Sequence, residues 1–225
     1  DKETIYVDKT GTLALYSQNY VGSELPNLYK CGTCPTQELV DAYETTDGVP
    51  VLNLERPYLD DQHLKPNFNP NNKLYDEKNP YANRDPRFEQ TILHQGSTYT
   101  WDATYTLDVS EGGLNHRSSD ASERSFTRTG YYYCKTITPN CSMNQPSMSP
   151  TYKHYRLSEL YLNYAEAAAE AGHLEEARSA VNVIRSRVKM PKIPAGLSAK
   201  ELLLRIKNER RVELACEEHR FFDLR

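Results

Sequence analysis

Apolar runs, basic excess and catalytic signatures are all scarce in this chain of 225 residues. No uncharged hydrophobic stretch approaches the roughly 18 residues of a membrane-spanning helix. Acidic residues outnumber basic ones by 31 to 27, a formal charge of -4, which excludes a generally basic nucleic-acid binder. The imbalance is also far smaller than that of a disordered, single-sign tail. No phosphate-cradling glycine loop, Gly-x-Ser-x-Gly elbow or His-Glu-x-x-His motif occurs. The histidines His63, His94, His116, His154, His173 and His219 lack metal-ligand spacing, so no metal or cofactor is expected. Acidic pairs such as Asp60-Asp61 could serve glycoside hydrolysis, but sequence gives no pair a separation. Nothing demands an enzyme. The opening Asp1-Lys2-Glu3-Thr4 is neither basic nor apolar, so no secretory signal is expected in these residues, either because none existed or because the chain begins downstream of it.

The chain does have the length for a sizeable core, in one domain or one and a half. Its aromatics are 17 Tyr against 5 Phe and 1 Trp, and tyrosine suits contact surfaces as much as cores. Residues 1–150 hold 11 of the 13 prolines and 8 of the 10 glycines. Both residues break regular elements. Residues 1–148 are therefore expected to be loop-rich, with a short helix and strands, and to face the ligand. Residues 149–225 are expected to be the helical structural core. The two regions are read as parts of one larger, mainly α domain.

In the helical region, Ser149-Pro150 reads as an N-cap with proline in the first turn. Leu157, Leu160, Tyr161, Tyr164, Ala165 and Ala168 then recur at helical steps, and Gly172 ends the helix. Leu174, Ala177, Val181, Ile184 and Val188 continue the pattern, which makes an antiparallel hairpin similar to one tetratricopeptide unit. A third helix opens at Ser198, with Glu201 completing a capping box. Helices are expected near 150–171, 174–189 and 198–218. On the third, Glu209, Arg210 and Glu213 fall where apolar residues belong, and Arg220 follows. A catalytic reading would give the two glutamates acid–base work. The preferred reading is a buried ion-pair network of Glu209, Arg210, Glu213 and Arg220, because buried charges must be paired.

Upstream, Thr36 is expected to cap a short helix with Leu39, Val40 and Tyr43 inward, and Asp47-Gly48 to form a turn. Arg84-Asp85-Pro86-Arg87 reads as too proline-constrained for a helix and better suited to tying a loop to the helical body. Phe88–Leu93 and Tyr131–Ile137 read as short strands from their aromatic and β-branched content.

The segment Tyr155-Arg156-Leu157-Ser158-Glu159-Leu160-Tyr161-Leu162-Asn163-Tyr164-Ala165-Glu166-Ala167 resembles the helix signature of the SusD/RagB family, surface nutrient-binding lipoproteins of Bacteroidetes-type bacteria. Residues 180–187, 209–215 and 219–225 are similar to its later helices. Pro35 to Tyr43 with Asp47-Gly48, then Asn79 to Phe88, then Gly130 to Tyr133 with Lys135, follow the family's earlier blocks in order. The resemblance runs from about residue 35 to the end. It implies a SusD-like helical fold with tetratricopeptide-type helix pairs. It also implies glycan or peptide capture, a SusC-like TonB-dependent outer-membrane transporter as partner, and a lipid-anchored, cell-surface location. Family members are much longer, so the chain reads as an internal fragment, without the lipidated cysteine.

Cys31 and Cys34 are separated by two residues, and Cys134 and Cys141 by six. Two local disulfides, Cys31–Cys34 and Cys134–Cys141, are the expected arrangement in an oxidising compartment, with one four-cysteine zinc site as the alternative. Cys216 is expected to be a buried small hydrophobe on the third helix. For a sugar-binding platform the candidates are Trp101, Tyr99, Tyr105 and Asp102, with Tyr58 in a second polar–aromatic cluster beside Asp60, Asp61, Gln62 and His63. Glycan capture with delivery to the transporter is the leading expectation. Peptide capture, a glycan-degrading enzyme and a helical-repeat scaffold are the alternatives.

Overall fold

The computed structural model describes residues 4–8, 34–98, 106–113, 115–116, 127–135 and 152–224. The chain divides into two compact units. One comprises Asp1–Ile5, Glu38–Phe88 and Tyr155–Arg225, the other Tyr6–Gln37 and Glu89–His154.

In the first unit the framework is three helices: α3 (Leu157–Glu170), α4 (Leu174–Arg187) and α5 (Ala199–Glu213). Gly172, at φ +85°, makes the sharp turn between α3 and α4. There the His173 N–H reaches the Ala168 carbonyl at 2.8 Å and the Gly172 N–H reaches Ala169. This is the paired closure that a left-handed glycine permits at a helix end. Ser198 caps α5, its hydroxyl accepting from the Glu201 N–H while Glu201 accepts from the Ser198 N–H.

The first helix is shorter than expected. Residues Tyr152–Arg156 form a strand, β4, paired with β1 (Thr4–Asp8). Arg156 is extended (φ −148°, ψ 161°) and the helix begins only at Leu157. Aromatic residues at 152 and 155 favour the pleated form. Ser149 and Pro150 lie outside the described residues.

The inward face of α3 also differs. Leu162, Ala165, Ala168 and Ala169 are buried, whereas Leu157, Leu160 and Tyr164 are exposed. The alanines decide this: three small side chains, Ala165, Ala168 and Ala169, let α3 lie close against Ala177, Ala180, Val181 and Ile184 of α4. Leu202 and Ile206 of α5, with Ile193 and Leu214, complete the core. The fifteen-residue α5 stops at Glu213 rather than near 218, and Cys216 and Glu218 have positive φ in the turn beyond it. Cys216 is thus half-buried in a turn, not on the helix.

The loop-rich segments are organised by two short helices, α1 (Gln37–Ala42) and α2 (Arg87–Thr91). Val40 and Tyr43 face inward and Leu39 is half-buried. The Gly48 N–H closes the expected turn onto Thr45. Phe88–Leu93 is not a strand through its length. Asp85 accepts the Arg87 N–H at 2.9 Å and its carbonyl accepts from Phe88, so Pro86 enters a first helical turn. Only Ile92–Leu93 (β2) is extended, pairing antiparallel with Tyr132–Tyr133 (β3) in the register Ile92↔Tyr133. Thr136 and Ile137 lie outside the described residues. In the second unit, the Tyr132 hydroxyl donates to the Asn115 carbonyl at 3.1 Å, and Tyr131 donates to Gln37.

Ala165 has no exposure at the α3–α4 contact. Ala165→Leu is expected to cost about 1–3 kcal/mol by forcing the axes apart. Denaturant titration measures this, and an unchanged midpoint would refute the close packing.

Candidate functional site

Two polar constellations stand out in the first unit. One is sealed, the other open.

The sealed one centres on Glu209 and Glu213, one turn apart on α5 and each 2% exposed. Arg87 donates to Glu209 at 2.6 Å and to Glu213 at 2.9 Å, and its other nitrogens grip Asp85. Arg185 bridges the second Glu209 oxygen at 2.7 Å to Glu44 at 2.9 Å. Arg156 donates to Glu213 at 2.6 Å and to Glu217 at 2.7 Å, and Arg187 adds a 2.6 Å bond to Glu213. The Glu213 carboxyl is pulled up by burial, but Arg156, Arg87 and Arg187 outweigh this and bring it down to about 2. Burial raises Glu44, against Arg205 and Arg185. Each of these carboxylates is engaged by at least one guanidinium.

Glu209 and Glu213 were expected in such a network; two other expected members are not. Arg210 pairs with Asp223 at 2.7 Å and Asn163 at 2.6 Å, away from both glutamates. Arg220 is exposed on α6 (Arg220–Asp223). The reason is geometric: Arg210 is one residue past Glu209 and so lies about 100° round the helix. Their places are taken by Arg87, Arg156 and Arg185. Arg84, beside Arg87, donates to the Val40 and Tyr43 carbonyls and closes the end of α1.

The open constellation is a cleft of about 540 Å³ between α1, the loop through Leu52–His63, and α5 with α6. Tyr58 donates to Asp41 of α1 at 2.6 Å and stacks on His63, ring centres 4.5 Å apart and 10° from parallel. His63 meets Glu38 of α1 at 3.2 Å. The loop is folded by its own bonds: Leu59 N–H to Lys65 carbonyl at 2.9 Å, and Asp60 accepting from the Leu64 and Lys65 N–H groups. Burial, then the bond to Asp41, pushes the Tyr58 phenol far above its usual value, so it remains a neutral donor. Asn208 and Arg211 of α5 and Arg220 form the opposite side. Of the candidate ligand residues, Tyr58 lines this cleft with Asp60, Asp61 and His63. Trp101, Tyr99, Tyr105 and Asp102 lie outside the described residues, as do Cys31 and Cys141 of the candidate disulfides. Cys34 is half-buried and Cys134 buried, its thiol 3.8 Å from the Glu89 carbonyl. Among the described residues no group of three His, Cys, Asp or Glu side chains could hold a metal.

Sequence reasoning missed Glu38, Asp41, Asn208 and Arg211. Glu38 and Asp41 are three residues apart on α1, a spacing that shares a helix face, and that was the signal available.

The model of the SusD family matches residues 6–225. Solved relatives include a SusD-like protein from Bacteroides fragilis, 30% identical with a TM-score of 0.72, which covers 100% of this chain and 43% of its own. A SusD-like carbohydrate binding protein from the same organism is 24% identical with a TM-score of 0.63, covering 100% of this chain and 41% of its own. The chain therefore spans about two-fifths of the length of these relatives. No curated protein matches it.

Arg185→Ala would take one guanidinium from each of two buried carboxylates, leaving Glu209 to Arg87 and Glu44 to Arg205, and is expected to cost about 3–5 kcal/mol. Arg210→Ala should cost only about 1.5–3 kcal/mol, the value of hydrogen bonds to a charged partner. Equal losses in denaturant titration would show that the network is not centred on Arg185. Because Glu213 is held below its unfolded value, its stabilisation is present above about pH 4.5 and is lost as pH falls towards about 2. The stability gap between the native chain and Glu213→Gln should shrink over that window in urea titrations; a constant gap would contradict it.

Proposed function

The chain belongs to the SusD family, and from that premise we propose that it is part of a nutrient-binding protein which captures a glycan at the cell surface. Delivery to a SusC-like TonB-dependent transporter, with a lipid anchor in the outer membrane, completes this reading. The family match over residues 6–225 is the observation that carries it. The likeness to a protein described as carbohydrate binding supports a sugar ligand. So does the chemistry of the cleft: an open volume of about 540 Å³, an aromatic pair and several hydrogen-bonding side chains suit a polyhydroxylated ring. Among the described residues the buried carboxylates all have arginine partners, which favours binding over hydrolysis.

Tyr58 is proposed as a ligand contact in the cleft, supported by its place in the wall. Trp101, flanked by Tyr99 and Tyr105 with Asp102 as hydroxyl acceptor, is proposed as a stacking platform; this rests on sequence. The capture protein needs no cofactor.

Calorimetric titration of the longer natural protein with a panel of oligosaccharides and peptides tests the reading, and binding of at least one saccharide is expected. Tyr58→Ala and Trp101→Ala should each weaken that saccharide by about thirtyfold, roughly 2 kcal/mol, with the native circular dichroism spectrum retained. No saccharide bound by the native protein would sink glycan capture. A panel answering only with peptides would replace it by peptide capture.

A further inference from the structure

The cleft has two chemically different walls. On the α1 and loop side the carboxylates other than Asp61 are already engaged. Asp41 holds the Tyr58 hydroxyl, Glu38 meets His63, and Asp60 holds two backbone N–H groups. Glu55, at the rim, pairs with Lys200. On the other side stand Arg211 of α5 and Arg220 of α6.

These two guanidiniums differ from the other described arginines of the unit. Arg56, Arg84, Arg87, Arg156, Arg178, Arg185, Arg187, Arg205 and Arg210 all donate to a carboxylate or a carbonyl. Arg211 and Arg220 make no hydrogen bond or ion pair among the described residues. Arg211 is nevertheless half-buried. Burial, and then the like charge of Arg220, push its guanidinium below the ordinary value, against the weaker opposing pull of Glu38 and Asp41 across the cleft. Two neighbouring cations with open donors lining one cavity are a site in want of an anion. Guanidinium forks bind carboxylates through paired hydrogen bonds of defined direction.

We propose that Arg211 and Arg220 bind a carboxylate of the captured ligand, so that the glycan taken up by this cleft is acidic and carries uronate residues. This rests on the capture reading and narrows its substrate class. A dense polyanion is disfavoured, because Glu38, Asp41, Asp60 and Asp61 face the same volume. A sparsely charged, hydroxyl-rich chain fits both walls. Its carboxylate meets the arginines, its hydroxyls meet Asp61 and Asn208, and its C–H faces meet Leu52, Leu54 and Pro57.

The test is calorimetry on the longer natural protein with an aldotriouronic acid (one glucuronate on xylobiose), its methyl ester, a neutral trisaccharide and a glutamate-containing tripeptide. The aldotriouronic acid should bind at least tenfold more tightly than its ester. Arg211→Gln and Arg220→Gln should each remove at least tenfold of that affinity, with Arg211→Lys intermediate. Arg220 is exposed, so its variant decides the matter if Arg211→Gln lowers the melting temperature. Equal binding of acid and ester, or neutral saccharide binding that ignores both variants, would overturn the carboxylate site while leaving glycan capture intact. Binding of the tripeptide alone would overturn the uronate assignment. Loss of all saccharide binding by the native protein would remove the capture reading, and this inference with it.

Discussion

Two glutamates one turn apart on a buried helix face impose the constraint on which the first unit depends. A carboxylate stripped of water costs several kcal/mol unless donors replace the lost hydration. Glu209 and Glu213 present four oxygen atoms, and the structure supplies Arg87, Arg156, Arg185 and Arg187 to meet them. These arginines come from distant parts of the chain: α2, the end of β4, and the last turns of α4. An apolar core would accept many registers of α5 against its neighbours at nearly equal energy. The paired forks accept far fewer, because a shift of one residue would separate all the donors from their acceptors. The network thus acts on specificity of packing more than on net stability.

That fixed register also sets the cleft. With Glu209 and Glu213 directed inward, Arg211 lies between them in sequence but about 200° round the helix from each, on the far side. Asn208 donates to the Ala42 carbonyl at the end of α1, at 2.9 Å, which holds α1 alongside that outer face. Arg84 secures the same helix end from the opposite direction. Cleft and network are therefore two faces of α5, one saturated and one open. Contact with α1 joins them.

Legibility in the sequence followed the range of each interaction. The capping box at Ser198 and the glycine closure at Gly172 are local, and both were readable. So were the inward positions of Glu209 and Glu213, because charges at apolar positions of a helix must face something. Their partners were not readable, since Arg210 and Arg220 are near in sequence whereas Arg87 and Arg185 are near only in space. The strand expected at Phe88 failed for a local reason, an aspartate–proline pair that starts a helical turn. The face of α3 was read correctly at Ala165 and Ala168 but misread at Leu157, Leu160 and Tyr164, because large apolar residues dominate a hydrophobic pattern while close packing selects the alanines. In the cleft, Tyr58, Asp60, Asp61 and His63 were legible as one polar–aromatic loop. Asp41 and Arg211 were not, because each becomes part of a site only when α1 and α5 meet.

Glu44 marks the edge of what the network can neutralise. It receives Arg185 and Arg205, yet burial still raises its carboxyl, and the Nε of Arg205 is buried without a hydrogen-bond partner. Arg205 is itself lowered, first by burial, even though Glu44 lies beside it. Charge is balanced at this corner, but hydrogen bonding is not complete. Such a corner contributes little net stability, since the attraction of the pair is offset by what both groups lose from water. Its value is positional. The Glu44 carbonyl accepts the Asp85 N–H at 2.8 Å, and Asp85 grips Arg87. Glu44 therefore joins the segment that follows α1 to the arginine that locks α5. A chain that spends desolvation energy on this link holds both helical walls of the cleft in one geometry before any ligand arrives, which is the condition for binding without an ordering cost.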